Sequence, residues 1–286
     1  MKILWGKAPE AVISFLRRPR NGTVLLVTSK GIYLQVQQRI LLLCSPVWGV
    51  VPIGISLEEY DAVMTLRPEQ PVRIGGGTLT FPGGDVKLNL IQAEPVSPHM
   101  LPGIDLHAAA MALDGLNKQT GLAPLVKPLL LGKPLEAPNP YCQAAMPKLT
   151  DLLTGLRQEN QEQISKAVEQ LLGLGTGLTP SGDDVLCGML YVLLRSKMKN
   201  APALSVLVDT VKKEAHNRTN AISAAYLIAM ADGGDYERMA AVWMDLAVGN
   251  RDRIGLLTEI GSNSGSEMLL GMLLAEKLLC QRLSRE

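Results

Sequence analysis

The chain has 286 residues, of which 47% are hydrophobic and 19% charged, so it can bury a sizeable core and global disorder is excluded. Twenty-eight basic residues against 27 acidic give a net charge of +1, which removes the basic footprint of most nucleic-acid binders. Aromatics at 4% leave little to stack on single strands, so no nucleic-acid partner is expected.

The N-terminal MKILWGKAPE breaks its apolar run at Gly6 and Lys7, too early for a signal-peptide core. Short β-type runs bounded by turn residues follow at 23–29, 31–36, 39–44, 72–75, 78–81 and 85–91. Some alternate cleanly, as in Val86-Lys87-Leu88-Asn89-Leu90. Turn clusters stand at 29–31, 75–77 and 82–85. Strands joined this closely are expected to pair antiparallel. Residues 40–57 carry no charge, but Pro46, Gly49, Pro52 and Gly54 interrupt them; a spanning helix needs about 20 mostly apolar residues. No membrane partner is expected, and the stretch reads as a buried strand running into an apolar loop. Residues 1–95 read as a small antiparallel β domain, a sandwich or partly open barrel.

Residues 96–140 read as a Pro-rich connection with one helix, and 141–286 as a helical domain. Helical patterns fall at 103–118, 143–156, 159–172, 181–197, 203–217, 220–231, 235–248, 251–260 and 265–283. Short connections suit an antiparallel bundle. Strands first and helices after predict an α+β fold: a small N-terminal antiparallel β domain, then an all-helical bundle. The cysteines at 44, 142, 187 and 280 form no C-x-x-C pair, and the histidines show no ligand spacing. Buried, reduced thiols in a cytoplasmic protein are expected.

Chemistry concentrates in residues 171–190, LLGLGTGLTPSGDDVLCGML. Gly173, Gly175 and Gly177 alternate in a loop suited to positive φ. Thr179-Pro180 fits an N-cap followed by Pro at the first helical position, with Ser181 a second candidate cap and Asp183 and Asp184 in the first turn. The segment from Ser181 to Leu190 aligns without gaps to that from Ser264 to Leu273. Both share the skeleton S-G-x-[DE]-x-L-x-G-M-L, a partial internal repeat in which each copy follows a Gly-containing loop. Such a loop-to-helix junction either caps and packs a helix or presents free N–H groups to an anion. Asp183 and Asp184 would repel an anion unless they face away, pair with Arg or hold a cation such as Mg²⁺. No motif requires any other cofactor or metal. In His216-Asn217-Arg218-Thr219-Asn220, Asn217 or Thr219 can cap the next helix, and Arg218 is a partner for a carboxylate, a phosphate or the two aspartates. Gly175, Gly177, Thr179, Ser181, Gly182, Arg218, Thr219, Ser264 and Gly265 are the candidate anion-binding residues. Asp183, Asp184 and Arg218 are the catalytic candidates.

The run from Leu174 to Asp184, the Arg218-Thr219 segment and the segment from Gly261 to Gly271 together resemble the AllH-type proteins, linked to bacterial oxamate carbamoyltransferase. The resemblance covers most of the helical half and is diffuse over the β half. It implies a subunit that works with FdrA/AllF-like and AllG-like subunits. Such a complex would interconvert oxalurate plus phosphate with oxamate plus carbamoyl phosphate, all small anions. A paralogue would take another carbamoyl or acyl acceptor. Two other readings stay open: a free-standing phosphate-dependent transferase, and a non-catalytic scaffold whose motifs only cap and pack helices.

Overall fold

The computed structural model describes residues 2–136 and 138–283. Residues 1, 137 and 284–286, which fall inside the expected domain spans, lie outside the described residues. The chain divides into two compact units, residues up to 97 with 234–238, and 98–233 with the remainder from 239.

The first unit is a closed barrel of eight strands: β1 (Lys2–Ala8), β2 (Arg20–Val27), β3 (Gly31–Val36), β4 (Arg39–Cys44), β5 (Gly54–Leu57), β6 (Pro71–Gly75), β7 (Thr78–Phe81) and β8 (Gly84–Gln92). Around the barrel the order is β1-β5-β4-β3-β2-β6-β7-β8. A short helix, α1 (Glu10–Phe15), joins β1 to β2, and its Val12 enters the barrel core beside Leu4, Ile32, Leu34, Ile55 and Leu79.

This overturns the expected open, antiparallel β domain, although the α+β class holds. Two pairings the sequence did not suggest close the sheet. β1 pairs in parallel with β8 from Lys2↔Val86 to Ala8↔Gln92, and antiparallel with β5 at Gly6↔Leu57. β4 and β5 also pair in parallel, at Leu42↔Gly54 and Cys44↔Ser56. Residues 45–53 make that crossover with a 3₁₀ turn at Pro46–Trp48. The uncharged run at 40–57 is thus two barrel strands and their connection, and among the described residues no helix is long and apolar enough to cross a membrane. Residues 234–238 complete this unit. Asp235 accepts hydrogen bonds from the Val96 and Ser97 amides, and Glu237 accepts one from Val50 N at 2.8 Å.

The second unit is helical: α2 (Leu106–Gly115), α3 (Pro140–Gln158), α4 (Gln161–Leu171), α5 (Ser181–Leu193), α6 (Pro202–Arg218), α7 (Ala221–Ala231), the greater part of α8 (Glu237–Ala247), α9 (Ile254–Thr258) and α10 (Ser264–Leu283). Side-chain caps stand on α2 (Asp105), α3 (Asn139), α4 (Asn160) and α7 (Asn220). Every residue of α5 is buried, as expected of a helix that is apolar on all sides beyond its first turn. α5 and α10 run alongside each other in the same direction and cross where both carry glycine. A Cβ on Gly188 would sit 2.0 Å from Met268 O, and one on Gly271 would sit 2.0 Å from Val185 O. The backbones touch there because neither helix has a side chain in the way. These atoms occupy equivalent positions of the two repeat copies, so the sequence repeat is a pseudo-two-fold axis through the crossing.

Candidate functional site, a paired loop-to-helix junction

The α5 and α10 N-termini meet, and the two repeat copies exchange partners. Ser264 of the second copy hydrogen-bonds Asp184 of the first, and Ser181 of the first hydrogen-bonds Glu267 of the second. Thr179 joins the pair, donating to Asp184 Oδ2 at 3.1 Å and sharing a 2.9 Å hydrogen bond with Ser264 Oγ. A serine and a carboxylate that look in sequence like a capping box within one helix are thus satisfied across two. α5 starts one residue later than the Thr179-Pro180 reading predicts. Pro180 holds the N-cap position with no side-chain cap, which releases Thr179 for its contacts with Asp184 and Ser264.

Asp183 faces the other way. Its Oδ1 accepts from Gly173 N at 2.8 Å, and its Oδ2 accepts from Ser223 Oγ at 2.6 Å and from the Thr219 hydroxyl. Those bonds tie the loop after α4, the α5 N-terminus and the α6–α7 junction together. Asn220 closes the ring, capping α7 through its Oδ1 and donating to Leu178 O at 3.0 Å. It does so in place of the Asn217 or Thr219 cap that the sequence suggests. Glu267 Oε1 accepts from Leu122 N at 2.9 Å, which pins the turn before residue 123 onto α10.

Asp183, Asp184 and Glu267 are each 1% exposed. Burial pushes all three carboxyl groups above their ordinary range, Asp184 furthest because Glu267 also repels its charge; the hydroxyl donors offset this only in part. Among the described residues, no basic side chain contributes to the balance at any of the three. Among the described residues, no group of three or more His, Cys, Asp or Glu side chains is arranged to hold a metal ion.

The surface of the site is the glycine loop. Gly175 and Gly177 adopt φ of +126° and +99°, and a Cβ on Gly175 would sit 2.5 Å from Ser181 N. Thr176, Gly177 and Leu178 are exposed, while Thr179, Thr219 and Ser264 are half-buried at the rim. The structure therefore brings together Gly175, Thr179, Ser181, Gly182, Asp183, Asp184, Thr219, Ser264 and Gly265, with Gly177 at the loop tip. It does not bring the Arg218 side chain to them. Arg218 pairs instead with Glu169 at 2.7 Å and Glu214 at 3.3 Å on the outer surface, although its carbonyl backs onto Gly173. Arg218 is the last residue of α6, where a cation is favoured by the helix dipole and by Glu214 one turn earlier. Ser223, Glu267 and Leu122 N are the participants that sequence reading did not single out. Glu267 had a signal, since it aligns with Asp184 in the repeat. Leu122 had none.

No solved structure matches the chain. Residues 171–276, which contain both repeat copies and the α6–α7 junction, match the family model described as the oxamate carbamoyltransferase subunit AllH, so the similarity falls on the segment that builds this site.

Proposed function

We propose that this chain is one subunit of an oxamate carbamoyltransferase-type complex, acting with FdrA/AllF-like and AllG-like subunits. In this reading the rim formed by Gly175–Thr179, Thr219 and Ser264 meets phosphate or carbamoyl phosphate and the small carboxylate amide, oxalurate or oxamate. The observation that carries the proposal is the coincidence of two facts: the family match spans 171–276, and within that span the two S-G-x-[DE] copies meet at one exposed glycine loop.

The chemistry asks for two things. A phosphate oxygen must attack the carbamoyl carbon while the bond from that carbon to the oxamate nitrogen breaks, and the leaving nitrogen must gain a proton. Loop N–H groups are the kind of fixed donors that hold small anions and the charge of a tetrahedral transition state. Burial pushes the Asp184 carboxyl group upward, and the Thr179 and Ser264 hydroxyls that donate to it link it to the rim, a path along which a proton can pass once those hydroxyls reorient. The test is phosphorolysis of oxalurate by the co-expressed complex, read as carbamoyl phosphate formed. Thr179→Val and Asp184→Asn are expected to lower turnover by about tenfold or more while assembly is retained. Full turnover in both folded variants would overturn the assignment of the site.

A scaffold reading has one observation in its favour: the three buried carboxylates are satisfied within the chain and Arg218 is engaged elsewhere. Under it, the same variants lose stability and leave turnover per assembled complex unchanged. Activity of the isolated chain would instead favour a free-standing transferase.

A further inference from the structure

Between Glu10 and Glu58 the sequence contains no acidic residue, while Arg17, Arg18, Arg20, Lys30 and Arg39 all fall within that stretch. In a chain of net charge +1 this is a strong local asymmetry. The fold gathers most of it at one end of the barrel. Val12 and Leu16 fill that end, and Arg17 and Arg18 follow on its exposed surface. The β3–β4 and β6–β7 turns frame it, since Arg20 donates to Gln37 Oε1 at 2.7 Å and Gly76 N donates to Leu16 O at 2.8 Å.

Two of the arginines are held close together. The guanidiniums of Arg20 and Arg39 lie 4.4 and 4.7 Å from the centroid of the same Phe15 ring. Arg20 is fixed further by its bond to Phe15 O at 2.9 Å. Among the described residues, none of Arg17, Arg18, Arg20 and Arg39 has a carboxylate within ion-pair distance, whereas Arg218, Arg253 and Arg282 each do. Arg20 spends its Nε and one terminal nitrogen on Phe15 and Gln37, so Arg17, Arg18 and Arg39 supply the N–H edges suited to bidentate recognition of carboxylates.

We infer that this arginine end of the barrel docks an acidic segment of a partner subunit. The inference rests on the reading of the chain as one subunit of a complex. Because Val12 and Leu16 fill the end, it presents an outward surface rather than a cleft, and a small anion there would stay solvated. Phe15 is already covered by two guanidiniums, which leaves nucleobases no stacking platform. An acidic protein surface matches both the shape and the charge.

Two measurements on the full chain decide it. The first is anisotropy of labelled poly-L-glutamate, titrated with wild type and with the solvent-exposed pair Arg17→Gln/Arg18→Gln, which removes no structural contact. The expected result is binding that weakens as salt rises from about 50 to 200 mM and an affinity about tenfold lower in the variant. Equal affinities, or tighter binding of a DNA duplex than of polyglutamate, would overturn the inference. The second is co-purification of the co-expressed complex with Arg17→Glu/Arg18→Glu, which is expected to lose its partners. Assembly unchanged from wild type overturns the docking surface and leaves the subunit reading intact. If wild type itself captures no partner, the subunit reading fails, and so does the partner named here.

Discussion

Thr179 and Ser264, 85 residues apart, share a hydrogen bond of 2.9 Å, and both hold Asp184. That contact joins the two halves of the repeat at the mouth of the site. Ser264→Ala removes one of the donors to a carboxyl group that is 1% exposed. The expected cost is about 1–3 kcal/mol, read from urea denaturation, with Ser181→Ala costing a similar amount through Glu267. A cost near zero for both would mean that the carboxyl groups find other donors.

Gly188→Ala and Gly271→Ala each place a methyl group against the backbone of the facing helix. Helices cannot yield there without opening the crossing, so each substitution is expected to destabilise by about 1–3 kcal/mol or more. Because the two positions share one contact, the double variant should cost less than the sum, by about 0.5 kcal/mol or more. Strict additivity would show that the crossing relaxes locally at each glycine.

The buried carboxyl groups set a pH dependence. Asp183, Asp184 and Glu267 bind a proton more tightly in the folded chain than in the unfolded one. Their stabilising contribution is complete below the ordinary carboxylate range and is lost as pH rises through their folded values. Each group still protonated in the fold makes stability fall by about 1.4 kcal/mol per pH unit over that window. Denaturation at successive pH values above the ordinary carboxylate range should show the decline, and Asp184→Asn, which keeps the neutral form, should flatten it. An unchanged slope would mean that Asp184 is ionised in the folded chain.

Arg218→Ala should have little effect on stability, within about 1 kcal/mol, because its ion pairs are solvent-exposed. In thermal-shift titrations with phosphate or carbamoyl phosphate it should also leave any shift unchanged. A shift that disappears in the folded variant would show that Arg218 swings inward on binding.

Thiol reactivity gives a separate check on the core. Burial pushes the Cys44 thiol up to about 12 and the Cys142 thiol up to about 11, and Cys187 is buried among Asp183 and Asp184. Cys280 alone among the cysteines is exposed. Under native conditions a thiol reagent should therefore modify Cys280 first, with the rest reacting only on unfolding. Fast native labelling of Cys44 would be incompatible with a closed barrel.

Much of this molecule was legible in the sequence, and the gaps have physical causes. Helical periodicity places α3 to α7 and α10 within a few residues, and the repeat marks two helices that do meet. Barrel closure was hidden because β1 inverts the usual signal. Ile3 and Trp5 point outward, each 47% exposed, while Leu4, Gly6 and Ala8 point inward, and small residues carry little hydrophobic pattern. A Cβ on Gly6 would sit 2.7 Å from Ser56 O, so the position serves close strand approach rather than turn formation. In the site, the motif residues were visible but their pairing was not. A capping box reads the same whether its carboxylate serves its own helix or a neighbour. The Arg218 side chain lies against Glu169 and Glu214, a placement the sequence could not give because adjacency does not specify which side of a helix terminus a long side chain takes.

The parallel pairing of β1 with β8 also bears on how the chain acquires its fold. β1 can meet β5 at Gly6↔Leu57 once about two thirds of the barrel sequence exists, but its longer seam with β8, from Lys2↔Val86 to Ala8↔Gln92, needs nearly all of it. Contacts of such high order are slow to form, and until they do the β8-facing edge of β1 is open beside an exposed tryptophan. Newly made chains thus pass through an interval of vulnerability to aggregation that ends when this last seam closes.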